Sequence, residues 1–214
     1  MKRLLSYVYP VTKTIKSIYS GNLEITWYNG KKHLNTENAN YSYGSLQRIL
    51  EFGLKKTNLN SVDSVLVLGM GGGSVIETLR TKFNYTKSIE AVEIDAVIID
   101  IAKTEFGITE NKQLKIHCID AYDFMNANTK QFDLIIIDLY IDLTVPSKFL
   151  NTEFWNQVIN AKSSKGVILF NASVKEVNKD KVETLISYLK TKIYDVQVYN
   201  KVNNTNTVII ASGL

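Results

Sequence analysis

Apolar and polar positions follow two different rhythms along the chain. Residues 13–20 alternate loosely, Gly21-Asn22 is a turn signal, and residues 23–28 are rich in β-branched and aromatic side chains before Asn29-Gly30, the strongest short hairpin signal. This predicts a small antiparallel β-hairpin unit over residues 1–42. From residue 43 or 44 to 56 the apolar positions Leu46, Ile49, Leu50, Phe52 and Leu54 suit a bridging helix, weakened near its end by Gly53. From Val62 onward, short apolar runs alternate with helical spacing, the pattern of a parallel sheet covered on both faces. The predicted strands are 64–68, 89–93, 114–119, 132–137, 166–170, 196–199 and 208–211; the predicted helices are 74–82, 96–106, 122–127, 152–161 and 179–190. Only seven residues, 200–206, separate Tyr199 from Thr207. That is too short for a crossover helix, so the final strand must return antiparallel. The expectation is an α/β chain with a seven-stranded, mostly parallel sheet over residues 43–214. The stretches 55–61 and 171–178 read as linkers.

Composition narrows the class. The 214 residues are 45% apolar and 21% charged, with 11 Gly and 2 Pro, the balance of a globular chain with a sizeable core. No run reaches the roughly 18 apolar residues that a bilayer span needs. The opening Met1-Lys2-Arg3-Leu4-Leu5 mimics a secretory signal, but Ser6, Tyr7, Tyr9 and Pro10 break the apolar segment. The expectation is a cytoplasmic protein without a membrane partner. The single Cys118 excludes an intramolecular disulfide, and His33 and His117 add no metal-ligand spacing, so no metal is expected. Cys118, inside a strand, reads as a small core residue. Residues 1–60 hold 9 Lys+Arg against 3 Asp+Glu, whereas residues 61–214 hold 16 against 18. The basic front shows no run of basic residues with interleaved aromatics and reads as a solvated face rather than a nucleic-acid surface.

Candidate chemistry sits where the predicted strands end. Gly69-Met70-Gly71-Gly72-Gly73 follows a buried strand and precedes a helix, which lets the backbone approach a ligand and aims a helix N-terminus at it. Glu93 ends the second strand of the sheet 24 positions after Gly69, where a carboxylate accepts from ribose hydroxyls; Asp95 suits the N-cap of the next helix. Asp120, followed by Ala121, ends the third strand, and both an adenine contact and a helix cap are open to it. Asp138 directly follows Ile135-Ile136-Ile137 at the end of the fourth strand, at the crevice where a reacting group sits. Tyr140 and Asp142 lie beside it. Tyr41 and Tyr43 fall at the seam between the two units, where aromatics ordinarily pack and where they are also candidates for a substrate pocket.

These residues resemble the spermidine synthases and their relatives. The likeness spans about residues 20–171 and rests on Glu93-Ile94-Asp95, on Asp120-Ala121-Tyr122-Asp123-Phe124-Met125, on 132–138 and on the segment 36–43 leading into the first helix. It implies a Rossmann-like class I methyltransferase fold behind a small N-terminal β unit, with decarboxylated or intact S-adenosylmethionine as co-substrate. By position, Glu93 would hold the ribose, Asp120 the adenine, and Tyr43 would line the acceptor pocket. The chain also departs from the family pattern. The family's glycine loop reads Gly-Gly-Gly-Asp-Gly-Gly, and its Asp, which holds the aminopropyl amine, falls on Gly72. The family's Asp-Ser-Ser-Asp-Pro, with its second Asp catalytic, meets Asp138-Leu139-Tyr140-Ile141-Asp142, so Asp142 matches only with a one-residue slip. The family's Gln-Glu after its tyrosine is Gly44-Ser45.

The expected function is therefore a spermidine synthase-like transferase that moves an aminopropyl group to a small amine acceptor, with polyamines as candidates. A methyltransferase acting on an unknown small acceptor and a non-catalytic nucleoside-binding relative are the alternatives. A nicotinamide dehydrogenase fits less well, because of the terminal antiparallel hairpin and Ser74 where the dinucleotide fingerprint has Gly or Ala. Asp138 is the expected proton acceptor, with Tyr140 as a pocket wall and Asp142 as a second carboxylate. The N-terminal unit is too small to bury its own apolar face, so it should pack on the sheet domain or on a second subunit of a homodimer.

Overall fold

Asn29 and Gly30 adopt φ of 47° and 73°, the left-handed pair that a tight two-residue hairpin requires. The structure, a computed structural model, describes residues 2–36, 40–141, 144–172, 178–193 and 195–213. A short helix α1 (Lys2–Leu5) precedes strands β1 (Val11–Ser17), β2 (Gly21–Tyr28), β3 (Lys31–Thr36) and β4 (Asn40–Ser42). These form an antiparallel sheet in the order β1-β2-β3-β4, two strands more than a hairpin. The extra strands are hard to read in the sequence because they are polar; β3 is Lys-Lys-His-Leu-Asn-Thr, with only Leu34 and Thr36 buried. Leu23, Ile25 and Leu34 pack on Ile98 and Ile101, so the unit buries its apolar face on the larger domain.

The larger domain runs α2 (Ser45–Lys55), β5 (Ser64–Leu68), α3 (Ser74–Lys82), β6 (Ser88–Glu93), α4 (Ala96–Phe106), β7 (Leu114–Cys118), α5 (Ala121–Ala127), β8 (Phe132–Ile137), α6 (Thr152–Ala161), β9 (Lys162–Ala172), α7 (Lys179–Lys192), β10 (Asp195–Val202) and β11 (Asn206–Ser212). The sheet order is β10-β11-β9-β8-β5-β6-β7. Strands β7, β6, β5, β8 and β9 are parallel, and β11 runs antiparallel to both β9 and β10, as the short 200–206 connection requires. Side chains alternate between two cores. On β5, Leu66 and Leu68 join Phe154, Trp155 and Phe170 on one face, while Val65 and Val67 join Leu50 and Leu79 on the other. β7 is an edge strand, and Cys118 at its end is exposed rather than in the core.

The chain leaves β5 toward β6 and β7, then crosses back to place β8 on the other side of β5. The direction of winding reverses between β5 and β8, and a crevice opens there at the carboxyl ends of the strands. Gly69, Glu93, Asp120 and Asp138 follow or end four adjacent strands on that rim.

Candidate active site

The glycine loop is shaped by close contacts as much as by conformation. Gly69, Gly71 and Gly73 have φ of 85°, 55° and 84°, values that L side chains avoid. A Cβ at Gly69 would lie 2.2 Å from the carbonyl oxygen of Asp138, so this glycine lets the ends of β5 and β8 meet. Gly72 has no such φ, but a Cβ there would lie 3.0 Å from both Cβ and Oγ of Ser42 and 3.3 Å from Leu34 Cδ2. The N-terminal sheet fills the space into which a side chain at 72 would project. Tyr43, at the seam, is buried with φ of 67°, stacks on Phe106 at 4.3 Å and donates its hydroxyl to the Gly72 carbonyl at 3.3 Å. Burial pushes its phenol ionisation far above the ordinary value. The structure thus places Tyr43 as a prop for the glycine loop; the side chain of Tyr41 lies outside the described residues.

Glu93 is 4% exposed. One of its oxygens accepts from the Gly71 N–H at 2.9 Å and the other from the Asp95 N–H at 3.1 Å. Burial pushes its carboxyl up to about 7, against the pull of these backbone donors. Each oxygen keeps a lone pair, the acceptor capacity that a ribose diol needs. Asp95 caps α4 by accepting from the Val97 N–H at 3.0 Å, and its other oxygen accepts from the hydroxyls of Ser17 and Ser20 in the β1–β2 turn. Sequence reasoning missed those serines, because nothing local marks a turn as the partner of a residue 75 positions away.

Asp120 caps α5, accepting from the Tyr122 N–H at 2.8 Å, and Ala121 is the buried first residue of that helix. Its second oxygen pairs with Lys148 Nζ at 2.5 Å. Of the two roles open to Asp120, the structure displays the cap.

Asp138 leaves β8 with its N–H on the Leu68 carbonyl at 2.9 Å, and its Oδ1 accepts from Asn171 Nδ2 at 2.8 Å. Desolvation pushes its carboxyl up to about 7. Tyr140 is not a free acid or base. Its hydroxyl donates to the Asn171 carbonyl at 3.0 Å and accepts from Asn206 Nδ2 at 3.0 Å. Asp142 lies outside the described residues. Asn171 and Asn206 were absent from the sequence-derived site, although Asn171 follows Ile-Leu-Phe at a strand end just as Asp138 follows three isoleucines. Reading 171–178 as a linker hid the parallel, whereas the strand runs on through Ala172. Among the described residues, neither Glu93 nor Asp138 has a Lys or Arg partner.

Residues 48–207 match the family described as Spermine/spermidine synthase domain. The chain belongs to that family. A curated relative from Bifidobacterium longum, described as a "probable polyamine aminopropyl transferase", is 28% identical over 160 residues, which is 71% of this chain and 34% of the relative. The chain spans about a third to a half of the length of the curated relatives it matches first. Among solved structures, a probable spermidine synthase from Corynebacterium glutamicum superposes with a TM-score of 0.70 at 17% identity, over 95% of this chain and 77% of that one. Human methyltransferase-like protein 13 in complex with SAH superposes at 0.67 with 21% identity, over 80% and 83%. At these identities the two structures establish the Rossmann-like methyltransferase fold. In this chain that fold carries an N-terminal antiparallel sheet, which lies ahead of the residues matched by the family.

Proposed function

We propose that this family member is a transferase that takes an alkyl group from the sulfonium of decarboxylated or intact S-adenosylmethionine and passes it to a small nucleophile. One observation carries the reading: two carboxyl groups, Glu93 and Asp138, stand at the crevice without a basic partner among the described residues. An acidic, poorly solvated crevice suits a cationic ligand, and a sulfonium supplies the missing positive charge. Glu93 would accept from the ribose hydroxyls and the glycine loop would lie along the ligand. In the transfer, the acceptor's lone pair forms a bond to the carbon beside sulfur, the carbon–sulfur bond breaks and its electrons stay on sulfur as a neutral thioether. The acceptor's proton passes to Asp138. Burial raises that carboxyl above the ordinary aspartate range, which makes it a better proton acceptor, and the positive charge that opposes protonation is gone once the carbon–sulfur bond has broken. The remainder of the acceleration is alignment and exclusion of water.

Aminopropyl transfer to an amine such as a polyamine is supported by the family and by its curated relatives. Methyl transfer is favoured by Gly72, since the family's aminopropyl-binding carboxylate is missing and Ser42 occupies its room. Purified protein incubated with putrescine and decarboxylated S-adenosylmethionine, and separately with intact S-adenosylmethionine and an amine panel, tests both. Spermidine supports the first reading; methylated product without spermidine reverses the order. Neither product, together with heat stabilisation by methylthioadenosine or S-adenosylhomocysteine, would mean a non-catalytic nucleoside binder. We further propose a homodimer, because Leu4, Val8 and Tyr9 remain more than 70% exposed after the N-terminal sheet has docked; light scattering at micromolar concentration checks the assembly.

A further inference from the structure

Asn171 is fully buried at the end of β9, and a buried side-chain amide has a donor end and an acceptor end that only its surroundings distinguish. Here those surroundings leave one solution. The backbone carbonyl of Asn171 can only accept, so the Tyr140 hydroxyl 3.0 Å away must donate to it. The Tyr140 oxygen then offers only lone pairs, which makes the Asn206 atom 3.0 Å from it the amide nitrogen. That nitrogen also lies 2.9 Å from the Asn171 side chain, which must therefore present Oδ1 to it. Nδ2 of Asn171 is left facing Asp138 and donates to Oδ1 at 2.8 Å.

We infer that Asn206, Tyr140 and Asn171 form a one-way hydrogen-bond relay that holds Asp138 Oδ1 as a permanent acceptor and confines proton uptake to Oδ2, which makes Asn171 and Asn206 positioning residues for the transfer. The inference rests on the proposed role of Asp138 as proton acceptor. The proton lost by the acceptor goes to Oδ2, Asp138 becomes neutral, and the Asn171 contact to Oδ1 survives unchanged. Among the described residues, Tyr140 is the titratable group that faces Asp138. Burial and the Asp138 charge push its ionisation well above the ordinary phenol value, so it stays a donor while Asp138 titrates. The relay also gives β11 a task at the site: the antiparallel last strand delivers Asn206 to the rim.

Asn206→Ala removes the nitrogen that orients Asn171, whose amide can then turn Oδ1 toward Asp138 and disfavour its ionised form. Carboxyl 13C NMR of aspartate-labelled protein, with the Asp138 signal assigned through Asp138→Asn, should show the Asp138 midpoint rising by about one pH unit, a tenfold change in its proton equilibrium. Tyr140→Phe, which keeps the ring and removes the hydroxyl, should move it the same way and decides the question if Asn206→Ala does not fold. A purely structural network would lower the melting temperature and leave the midpoint where it is, and that result overturns the relay. The titration needs no substrate. A shifted midpoint in a protein that transfers nothing keeps the relay and removes the transferase reading; normal turnover with an unmoved midpoint does the reverse.

Discussion

Ser20 donates its hydroxyl to Asp95 at 3.0 Å, which fastens a turn of the N-terminal sheet to the residue that caps α4. Ser17 donates to the same oxygen while accepting from the N–H groups of Tyr19 and Ser20. Asp95 in turn donates its N–H to Glu93, and Glu93 accepts from Gly71. The N-terminal sheet is thereby two hydrogen bonds away from the carboxylate proposed to hold the ribose. The double variant Ser17→Ala/Ser20→Ala leaves a buried carboxylate short of donors, a loss of about 1–3 kcal/mol. Urea unfolding should show that loss, and calorimetry should show weaker binding of methylthioadenosine. Wild-type values in both would mean that the turn rests on Asp95 without supporting the site.

The two raised carboxyls predict how stability responds to pH in the absence of ligand. Between about 4.5 and about 7 the folded protein keeps a proton on Glu93 that the unfolded chain has released, so stability falls as pH rises through this window. For Glu93 the fall is at most about 3.5 kcal/mol, from about 1.4 kcal/mol per pH unit over the window from 4.5 to about 7. Asp138 adds a smaller share, because part of that residue meets solvent. A sulfonium in the crevice favours the charged carboxylates. Binding of S-adenosylmethionine at pH 6 should therefore release protons, seen as a buffer-dependent calorimetric enthalpy, and binding of the neutral thioether S-adenosylhomocysteine should release fewer. Equal release by both ligands would remove the charge argument.

How much of this could be read from sequence depends on how far apart the partners lie. β5, β8, α3, α4 and α6 fall on their predicted bounds, because a strand between two covered faces is a continuous apolar run and each of these helices has a clear periodic face. The antiparallel β11 followed from a length argument alone. Four strands in the N-terminal unit did not, since β3 and β4 satisfy their backbones in a sheet without carrying many apolar residues. At the site, strand-end position pointed to Glu93 and Asp138. It could not show that Asp120 pairs with Lys148, that Ser17 and Ser20 hold Asp95, or that Asn171 and Asn206 stand behind Asp138, because these contacts join residues 28 to 78 positions apart.

The packing of Gly72 makes a reciprocal test with Ser42. Gly72→Asp would press its Cβ to 3.0 Å from Ser42 Cβ and Oγ, an overpacking cost of about 1–3 kcal/mol, with a further cost for placing a carboxylate at the seam. Ser42→Gly removes the atoms in the way. The double variant should recover part of the stability lost by Gly72→Asp alone, a coupling that a double-mutant cycle of urea midpoints measures. If the missing carboxylate is what separates this chain from aminopropyl transfer, the double variant should also bind decarboxylated S-adenosylmethionine more tightly than the wild type, with binding of methylthioadenosine unchanged. Additive stability effects would mean that the N-terminal sheet does not occupy that space in solution.

Asp120 and Lys148 separate capping from nucleoside recognition. The carboxylate performs two tasks in the structure, accepting from the Tyr122 N–H at 2.8 Å and pairing with Lys148 at 2.5 Å. Losing the cap through Asp120→Ala should cost about 1 kcal/mol. Losing the partner through Lys148→Ala should cost less, because Lys148 is about half exposed and such pairs contribute about 0–1 kcal/mol. The two variants should diverge in ligand binding. If Asp120 accepts from the adenine amine, Lys148 competes for the same oxygen, so Lys148→Ala should tighten methylthioadenosine binding several-fold and Asp120→Ala should weaken it. If Asp120 only caps α5, Lys148→Ala leaves the dissociation constant unchanged, and Asp120→Ala lowers stability without changing affinity for methylthioadenosine relative to its inosine counterpart, which lacks the exocyclic amine. Calorimetric titration of the two nucleosides into the two variants decides between these outcomes, and tighter binding in Lys148→Ala restricted to the adenine compound would assign the base contact to Asp120.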